Sequence, residues 1–430
     1  MLQTLKNAWK IPELRKKIFY TLLLLVIFRL GSYIPVPGLD PEAIKALMGS
    51  FDSGLQGLLN NFSGGALENA SIFAMSISPY INASIILQLL TVAIPALERL
   101  AKEGEEGRKK IASLTRYLTV VLAFLQATGL YFGLPMENKG VMTYAVVVLT
   151  LTAGTAFLMW LGEQITEKGI GNGISLLIFA GIVSRGPALI QSMAGLVMPG
   201  EGESVSITSV VTVIAILVIA VVSIAFVVFM NDAERRIPVQ YAKRVVGRKM
   251  YGGQSTHIPI KVAMAGVMPI IFAVSIMSFP QTINMFINGQ NGATGVWGTI
   301  LSWFQQTHPF YITVYFLLIV FFTYFYTAIQ FNPIEISNNM KKNGGFVPGI
   351  RPGKPTSDFI ARILSKITLI GSLFLAVVAV FPILLGLIMP SMAGVAIGGT
   401  SLLIMVGVAL ETVKQLESQM LMRHYKGFLE

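Results

Sequence analysis

The chain has 430 residues, of which 54% are hydrophobic and 12% charged, with a formal net charge of +11. Soluble chains devote roughly a quarter of their residues to charge, so the composition excludes a soluble globular protein and indicates a polytopic membrane protein. The absence of cysteine excludes a disulfide framework, a thiolate nucleophile and any Cys-ligated metal or iron–sulfur centre.

A helix needs about 20 apolar residues to cross the hydrocarbon core, and stretches nearly free of Asp, Glu, Lys and Arg predict ten spans. The first, Ile18–Ile34, follows seventeen residues carrying five basic side chains. No A-x-A-like cleavage site follows it, so it is expected to stay in the mature protein. Next, Gly54–Leu67 is apolar, glycine-bounded and too short to cross, which fits either a re-entrant segment or an interfacial loop. The second span, Ser71–Ile94, holds Ser71, Ser76, Ser78, Asn82, Ser84 and Gln88 around Pro79, too polar a set for full exposure to lipid. The third, Tyr117–Leu134, adds Gln126. Membrane amides on neighbouring spans bond for about 0.6 to 2 kcal/mol, either as ordinary glue or as a seam weak enough to open. Spans four and five, Val141–Leu161 and Ile174–Val197, are joined by Gly169-Ile170-Gly171-Asn172-Gly173. Without a lysine, that stretch reads as a tight turn rather than a phosphate loop. The remaining spans are Val205–Met230, Val262–Ile283, Phe310–Phe331, Ile367–Leu387 and Val395–Leu410.

Of the 32 basic residues, 28 fall on one side of this arrangement, only Lys45 and Lys139 on the other, and Arg29 and Arg185 inside spans. The positive-inside rule then puts both termini in the cytoplasm. Five spans return the chain to the far side, so the second five run with inverted topology, one known way to build a transport pathway between two halves. Pro79 with Ile81, and Pro269 with Ile271, are a faint echo between the halves, read as prolines in mid-helix. The cytoplasmic loops 231–261 and 332–366 carry seven and six basic residues, more than topology requires. They read as projecting hairpins for an acidic partner or RNA phosphate, or as plain positive-inside excess touching anionic lipid.

Little in the chain suggests catalysis. His257, His308 and His424 are scattered, and no Walker loop, nucleophile elbow or acid pair within a span is present. No acidic residue lies clearly inside a span, so a proton relay, the mark of a secondary transporter, has no members. Arg29 is close enough to its span's end to snorkel. Gly186-Pro187 after Arg185 predicts a broken helix, and both arginines read as interfacial anchors.

Four stretches go further: Asn61-Phe62-Ser63-Gly64-Gly65-Ala66-Leu67, Pro79-Tyr80-Ile81-Asn82-Ala83-Ser84-Ile85-Ile86, the run from Gly162 through Gly173 to Ser175, and Phe346-Val347-Pro348-Gly349-Ile350-Arg351-Pro352-Gly353. With them the chain resembles the SecY family of protein-conducting channels over essentially all ten spans. The resemblance implies an all-α fold with two inverted five-helix halves, residues 1–200 and 201–430, forming an hourglass pore with a plug and a lateral gate. It implies a pore ring of Ile77, Ile81, Ile178, Ile182, Ile271 and Ile404. The plug would include Leu55, Leu58, Leu59, Asn60, Phe62, Gly64 and Gly65. The gate would be the seam of spans two and three against seven and eight, with Gln88 and Gln126 beside it.

Partner-binding residues implied in the same way are Arg235, Arg236, Lys243 and Arg244 in the first loop and Arg351 in the second. The departure at Pro238 puts the local backbone of the first loop in question. The implied function is passage of unfolded preproteins across the bacterial plasma membrane and lateral release of hydrophobic segments into it, without enzymatic activity or cofactor. The implied partners are the small subunits SecE and SecG, the SecA ATPase, the ribosome through its RNA phosphates, preprotein and signal-sequence substrates, and anionic lipids. An aliphatic neck suits this task, because isoleucine offers a permeating ion no hydrogen bond and a narrow apolar constriction closes by dewetting.

Overall fold

The computed structural model of the chain describes residues 2–50, 63–134, 140–197, 207–241, 244–246, 249–251, 255–288, 295–306, 308–388 and 399–426. Helix α1 (Leu2–Lys10) leads into α2 (Pro12–Gly31), whose opening proline sits where a missing N–H costs nothing. Leu14, Thr21, Leu24, Phe28 and Gly31 form the buried stripe of α2, while Phe19, Leu22, Leu23, Val26 and Leu30 face outward. Apolar side chains on the outer face are what a lipid-bathed helix requires.

After α3 (Pro41–Ser50), the helix of the second span begins only at Ser78: α4 is Ser78–Ala93. Ile94 is extended before Pro95, as a pre-proline residue prefers, and α5 (Pro95–Lys102) leaves at 102° to α4. Gly104, with φ +81°, turns the chain into α6 (Glu105–Gly133). There follow α7 (Val141–Lys168), α8 (Gly173–Ser184), α9 (Gly186–Val197) and α10 (Ile207–Asp232). Strands β1 (Glu234–Tyr241), β2 (Arg244–Val246), β3 (Lys249–Tyr251) and β4 (Ser255–Lys261) come next, then α11 (Met268–Asn288) and α12 (Gly295–Trp303). The chain ends with α13 (Pro309–Gln330), α14 (Pro333–Lys342), β5 (Gly345–Phe346), α15 (Lys354–Ile388) and α16 (Gly399–Lys426). Among the described residues six helical segments, counting α8 with α9 and α13 with α14 as one each, are long and apolar enough to cross a membrane, or seven if α4 and α5 count as one broken span. The first predicted span falls short of that measure because α2 carries Glu13, Arg15, Lys16, Lys17 and Arg29.

The strands correct the all-α expectation. β1 pairs antiparallel with β4 on one side and, through Gln240↔Phe346 and Tyr241↔Gly345, with β5 on the other. The two basic loops are therefore joined in one sheet and are not separate hairpins. Their core is apolar: Ile237, Val239 and Ile260 pack with Met340, Val347, Ile360 and Leu364. The alternation at Ile237 and Val239 drives strand formation, and Pro238 is tolerated because β5 does not reach that part of β1.

A second correction concerns the prolines. Pro79 and Pro269 occupy the second position of α4 and α11 and are not in mid-helix. The residues before each helix are apolar but turn-forming, which residue hydropathy alone does not distinguish from helix. The two helix starts repeat one construction. Ser76 (φ +52°) and Gly266 (φ +59°) are both left-handed, Ser76 N–H bonds Phe73 O as Gly266 N–H bonds Ala263 O, and Ile81 N–H bonds Ile77 O as Ile271 N–H bonds Val267 O. Each pair has the same separation along the chain.

The helices packed on these segments repeat as well. A Cβ built on Gly154 of α7 would stand 2.1 Å from the Ile72 carbonyl oxygen, and one on Gly371 of α15 would stand 2.3 Å from that of Val262. Each long helix thus receives a non-helical carbonyl at one glycine, beside a buried hydroxyl residue, Thr155 or Ser372. We predict that Gly154→Ala and Gly371→Ala each destabilise the folded protein by about 1 to 3 kcal/mol, seen as lower thermal midpoints in detergent. An unchanged midpoint in both would contradict this packing.

Candidate functional site

The six isoleucines come from four separated regions of sequence. Ile77 is the residue just before α4 and Ile81 lies one turn into it; Ile178 and Ile182 share one face of α8; Ile271 is in the first turn of α11, and Ile404 is near the start of α16. All six belong to one apolar cluster, together with Phe28, Phe73, Leu161, Ile165 and Val408. Ile77, Ile178, Ile182, Ile271 and Ile404 are buried and Ile81 partly so. The cluster draws on α2, α4, α7 and α8 from the first half and on α11 and α16 from the second. A separate core of Val36, Ala123 and Leu151 among others is built wholly from the first half, and another, centred on Phe272, Tyr315 and Phe322, almost wholly from the second.

Helix α8 is fixed in place by a compact set of bonds. Asn172 caps it, its side-chain oxygen accepting from Ile174 N–H and Ser175 N–H. Gly173 N–H donates to Thr166 Oγ1 at 2.9 Å, and Ile170 N–H to Thr21 Oγ1 at 3.1 Å. A Cβ on Gly173 would lie 1.9 Å from the Gly162 carbonyl oxygen, so α7 and α8 touch at backbone distance. The expected tight turn is thus the device that aims Ile178 and Ile182 inward.

The seam between halves is closed by a hydrogen bond. Tyr326 OH on α13 donates to Gln88 Oε1 on α4 at 2.5 Å. Phe272 of α11 lies against the rings of Tyr326 and Phe322, at 5.2 and 5.6 Å, and α6 packs on α11. Gln126 is half-buried on α6, and the bond from Gln88 goes to Tyr326 rather than to it. Tyr326 had no signal in the sequence, lying 238 residues from its partner in an aromatic-rich span.

Arg29, half-buried near the end of α2, donates through Nη1 to Gly64 O at 2.8 Å and through Nη2 to the OH of the exposed Tyr33 at 2.7 Å. Of the expected plug residues, Gly64 and Gly65 are described, both with positive φ; Leu55, Leu58, Leu59, Asn60 and Phe62 lie outside the described residues. Arg235 and Arg236 are exposed on β1, with Arg236 Nε 2.7 Å from Glu234 Oε1, and Arg244 opens β2. Lys243 lies outside the described residues. Arg351 is exposed on a turn between Gly349 (φ +80°) and Gly353 (φ +100°), its carbonyl accepting from Thr356 Oγ1 at 2.8 Å. Among the described residues no group of His, Asp and Glu is arranged to hold a metal.

The sequence pattern of the SecY family matches residues 71–413. The chain belongs to the SecY family. It is 48% identical to the protein translocase subunit SecY of Halalkalibacterium halodurans and 47% identical to that of Bacillus subtilis, each over 100% of both chains. Among solved structures it resembles a protein-conducting channel, at TM-score 0.63 and 18% identity over 96% of both chains. It also resembles Sec61 from the canine ribosome–channel complex of the endoplasmic reticulum, at TM-score 0.60 and 18% identity over 96% of both. The SecY-family fold is therefore shared across that sequence distance.

The seam bond yields a direct test. In a double-mutant cycle, Gln88→Leu and Tyr326→Phe should show a coupling of about 0.6 to 1.7 kcal/mol in thermal or denaturant stability. Additive effects would mean that the two side chains do not bond.

Proposed function

We propose that the chain is the channel subunit of a bacterial plasma-membrane protein translocase, passing unfolded polypeptides across the bilayer and releasing hydrophobic segments sideways into it. The relatives' names and the full-length match support the assignment. The observation that carries the mechanism is the meeting of six isoleucines from both halves in one apolar cluster. In this reading ten spans form two inverted halves, residues 1–200 and 201–430, with both termini cytoplasmic. The repeated helix starts at Ser76–Ile81 and Gly266–Ile271 support that symmetry.

The isoleucines act as the neck. A dry aliphatic ring stops ions by dewetting, yet offers no preference among side chains, so any extended polypeptide can thread it. The seam of α4 and α6 against α11 and α13 acts as the lateral gate. One bond such as Gln88–Tyr326 holds it closed with about 1 kcal/mol, small against the roughly 3 to 6 kcal/mol gained when ten Leu or Ile residues move into lipid. Hydrophobic segments therefore open the gate and polar ones do not. Residues around 55–66 act as the plug; in a related SecY structure the plug domain stabilises the closed state of the translocation channel and maintains a membrane seal.

The energy comes from partners. The basic sheet formed by the two loops is the docking face for the SecA ATPase or the ribosome, and SecE and SecG clasp the helices. Sec61 was solved in a ribosome–channel complex, which supports the ribosome as a partner.

Two experiments test this reading. Changing Ile81 and Ile271 together to Ser should raise resting ion conductance per folded channel in planar bilayers, whereas Ile→Val at both should be nearly silent. If the serine variant folds and stays tight, the neck lies elsewhere. Arg351→Glu should abolish motor-driven translocation while leaving folded yield unchanged, because it reverses the charge of an exposed side chain and leaves its backbone bond to Thr356 in place; normal transport would remove Arg351 from the docking face.

A further inference from the structure

Helix α16 has 28 residues, so at about 1.5 Å each it outlasts a hydrocarbon core of about 30 Å. Its apolar stretch ends at Leu410, and the continuation Glu411-Thr412-Val413-Lys414-Gln415-Leu416-Glu417-Ser418-Gln419-Met420 has the polarity of a segment in water. Leu416 is nevertheless buried, at 2% exposure, between the exposed Gln415 and Glu417. Its cover comes from the other end of the chain. Leu416 packs in one cluster with Ala8 of α1, Leu14 of α2 and Ile170 of the turn before α8, and Ile11, Ile18 and Met420 complete it.

The sequence sets α1 in that position. Ile11 is extended before Pro12, with φ −90° and ψ 115°, which separates α1 from α2 and lets it turn toward α16. Trp9 on the exposed face of α1 meets the Phe19 ring at 5.2 Å, and Ala8 on the buried face has too little bulk to hold the helices apart. Each side of the contact belongs to one half. Ile170 N–H is held by Thr21 of α2, whereas Lys414 Nζ of α16 sits 2.6 Å from Asp232 Oδ1 of α10. Across the contact Lys17 Nζ donates to Gln419 Oε1 at 3.4 Å.

Location decides what this contact is worth. Within the bilayer lipid can replace an apolar neighbour, so the halves gain little there from apolar contact. Leu14 and Leu416 lie outside the apolar stretches, where the alternative to burial is water and the hydrophobic effect acts in full. We propose that α1 is a strap across the two halves on their cytoplasmic side, and that its contact with α16 is a pivot that stays closed while the seam at Gln88 and Tyr326 parts. The inference rests on the proposed gate and its two halves.

The chain has no cysteine, so engineered pairs report without background. Lys17→Cys with Gln419→Cys spans the strap, and Gln88→Cys with Tyr326→Cys spans the seam. A short bifunctional maleimide is applied to resting channels in proteoliposomes and to channels holding a preprotein arrested midway. Arrest should leave the linking rate at the strap within about twofold and slow linking at the seam roughly tenfold, as when an interface passes from mostly closed to mostly open. A strap pair that slows along with the seam overturns the pivot and leaves the gate standing. A seam pair that does not slow refutes the gate, and the pivot with it. Ala8→Asp puts a charge into the cluster and alters no spanning helix, so at rest it should slow linking of the seam pair about three- to tenfold. Leu416→Ala serves the same purpose should Ala8→Asp not fold. An unchanged seam rate in the folded variant would make α1 a passenger and overturn the strap.

Discussion

A backbone that leaves helical geometry inside a membrane has to bury and pair its own N–H and C=O groups, and that constraint governs this molecule. The non-helical run from Gly64 to Ile77 meets it within protein. Val36 N–H bonds Ala70 O, Ile72 N–H bonds Ile34 O, Ser71 N–H bonds Ala66 O, and Ser76 N–H bonds Phe73 O. Most of the run is buried. Gly154 gives the Ile72 carbonyl its room, as Gly371 does for that of Val262. Neighbouring helices are thus notched to receive the irregular segments.

The meeting of the isoleucines follows from that arrangement. Ending in a left-handed residue and a proline-bearing first turn, each irregular segment launches a helix whose first turns carry Ile81 or Ile271 toward the junction of the halves. The glycine contact of α7 with α8 brings Ile178 and Ile182 to the same place. Apolar contact between halves is forgiving. Lipid tails are as apolar as isoleucine, so the halves gain little hydrophobic energy from staying together, and polar ties between them, Tyr326 to Gln88 and Lys17 to Gln419, add directional bonds to that contact. Each half also has an apolar core largely its own.

Much of this was legible in the sequence. Charge-free stretches located the long helices, Gly186-Pro187 marked the break between α8 and α9, and the glycine run from Gly169 marked the turn that orients α8. The resemblance supplied the six isoleucines, which spacing alone would have left as ordinary packing. What stayed hidden had physical causes. Apolar turn residues before Pro79 and Pro269 match helix in hydropathy, so hydropathy starts both helices too early. Strand β1 is short, charged at one end and interrupted by Pro238, and its pairing with β5 crosses more than a hundred residues. The partners of Gln88 and Arg29 are a tyrosine and a backbone carbonyl, and no local pattern names either.

The central claim is that a polypeptide passes through the isoleucine cluster. A photo-reactive amino acid placed in turn at Ile81, Ile182, Ile271 and Ile404, and for comparison at Leu217 and Val221 on the exposed face of α10, tests it with a preprotein arrested midway across the membrane. The account predicts crosslinks to the arrested chain from all four cluster positions and none from the two on α10. Crosslinks from α10, or a cluster that never touches the chain, would contradict it.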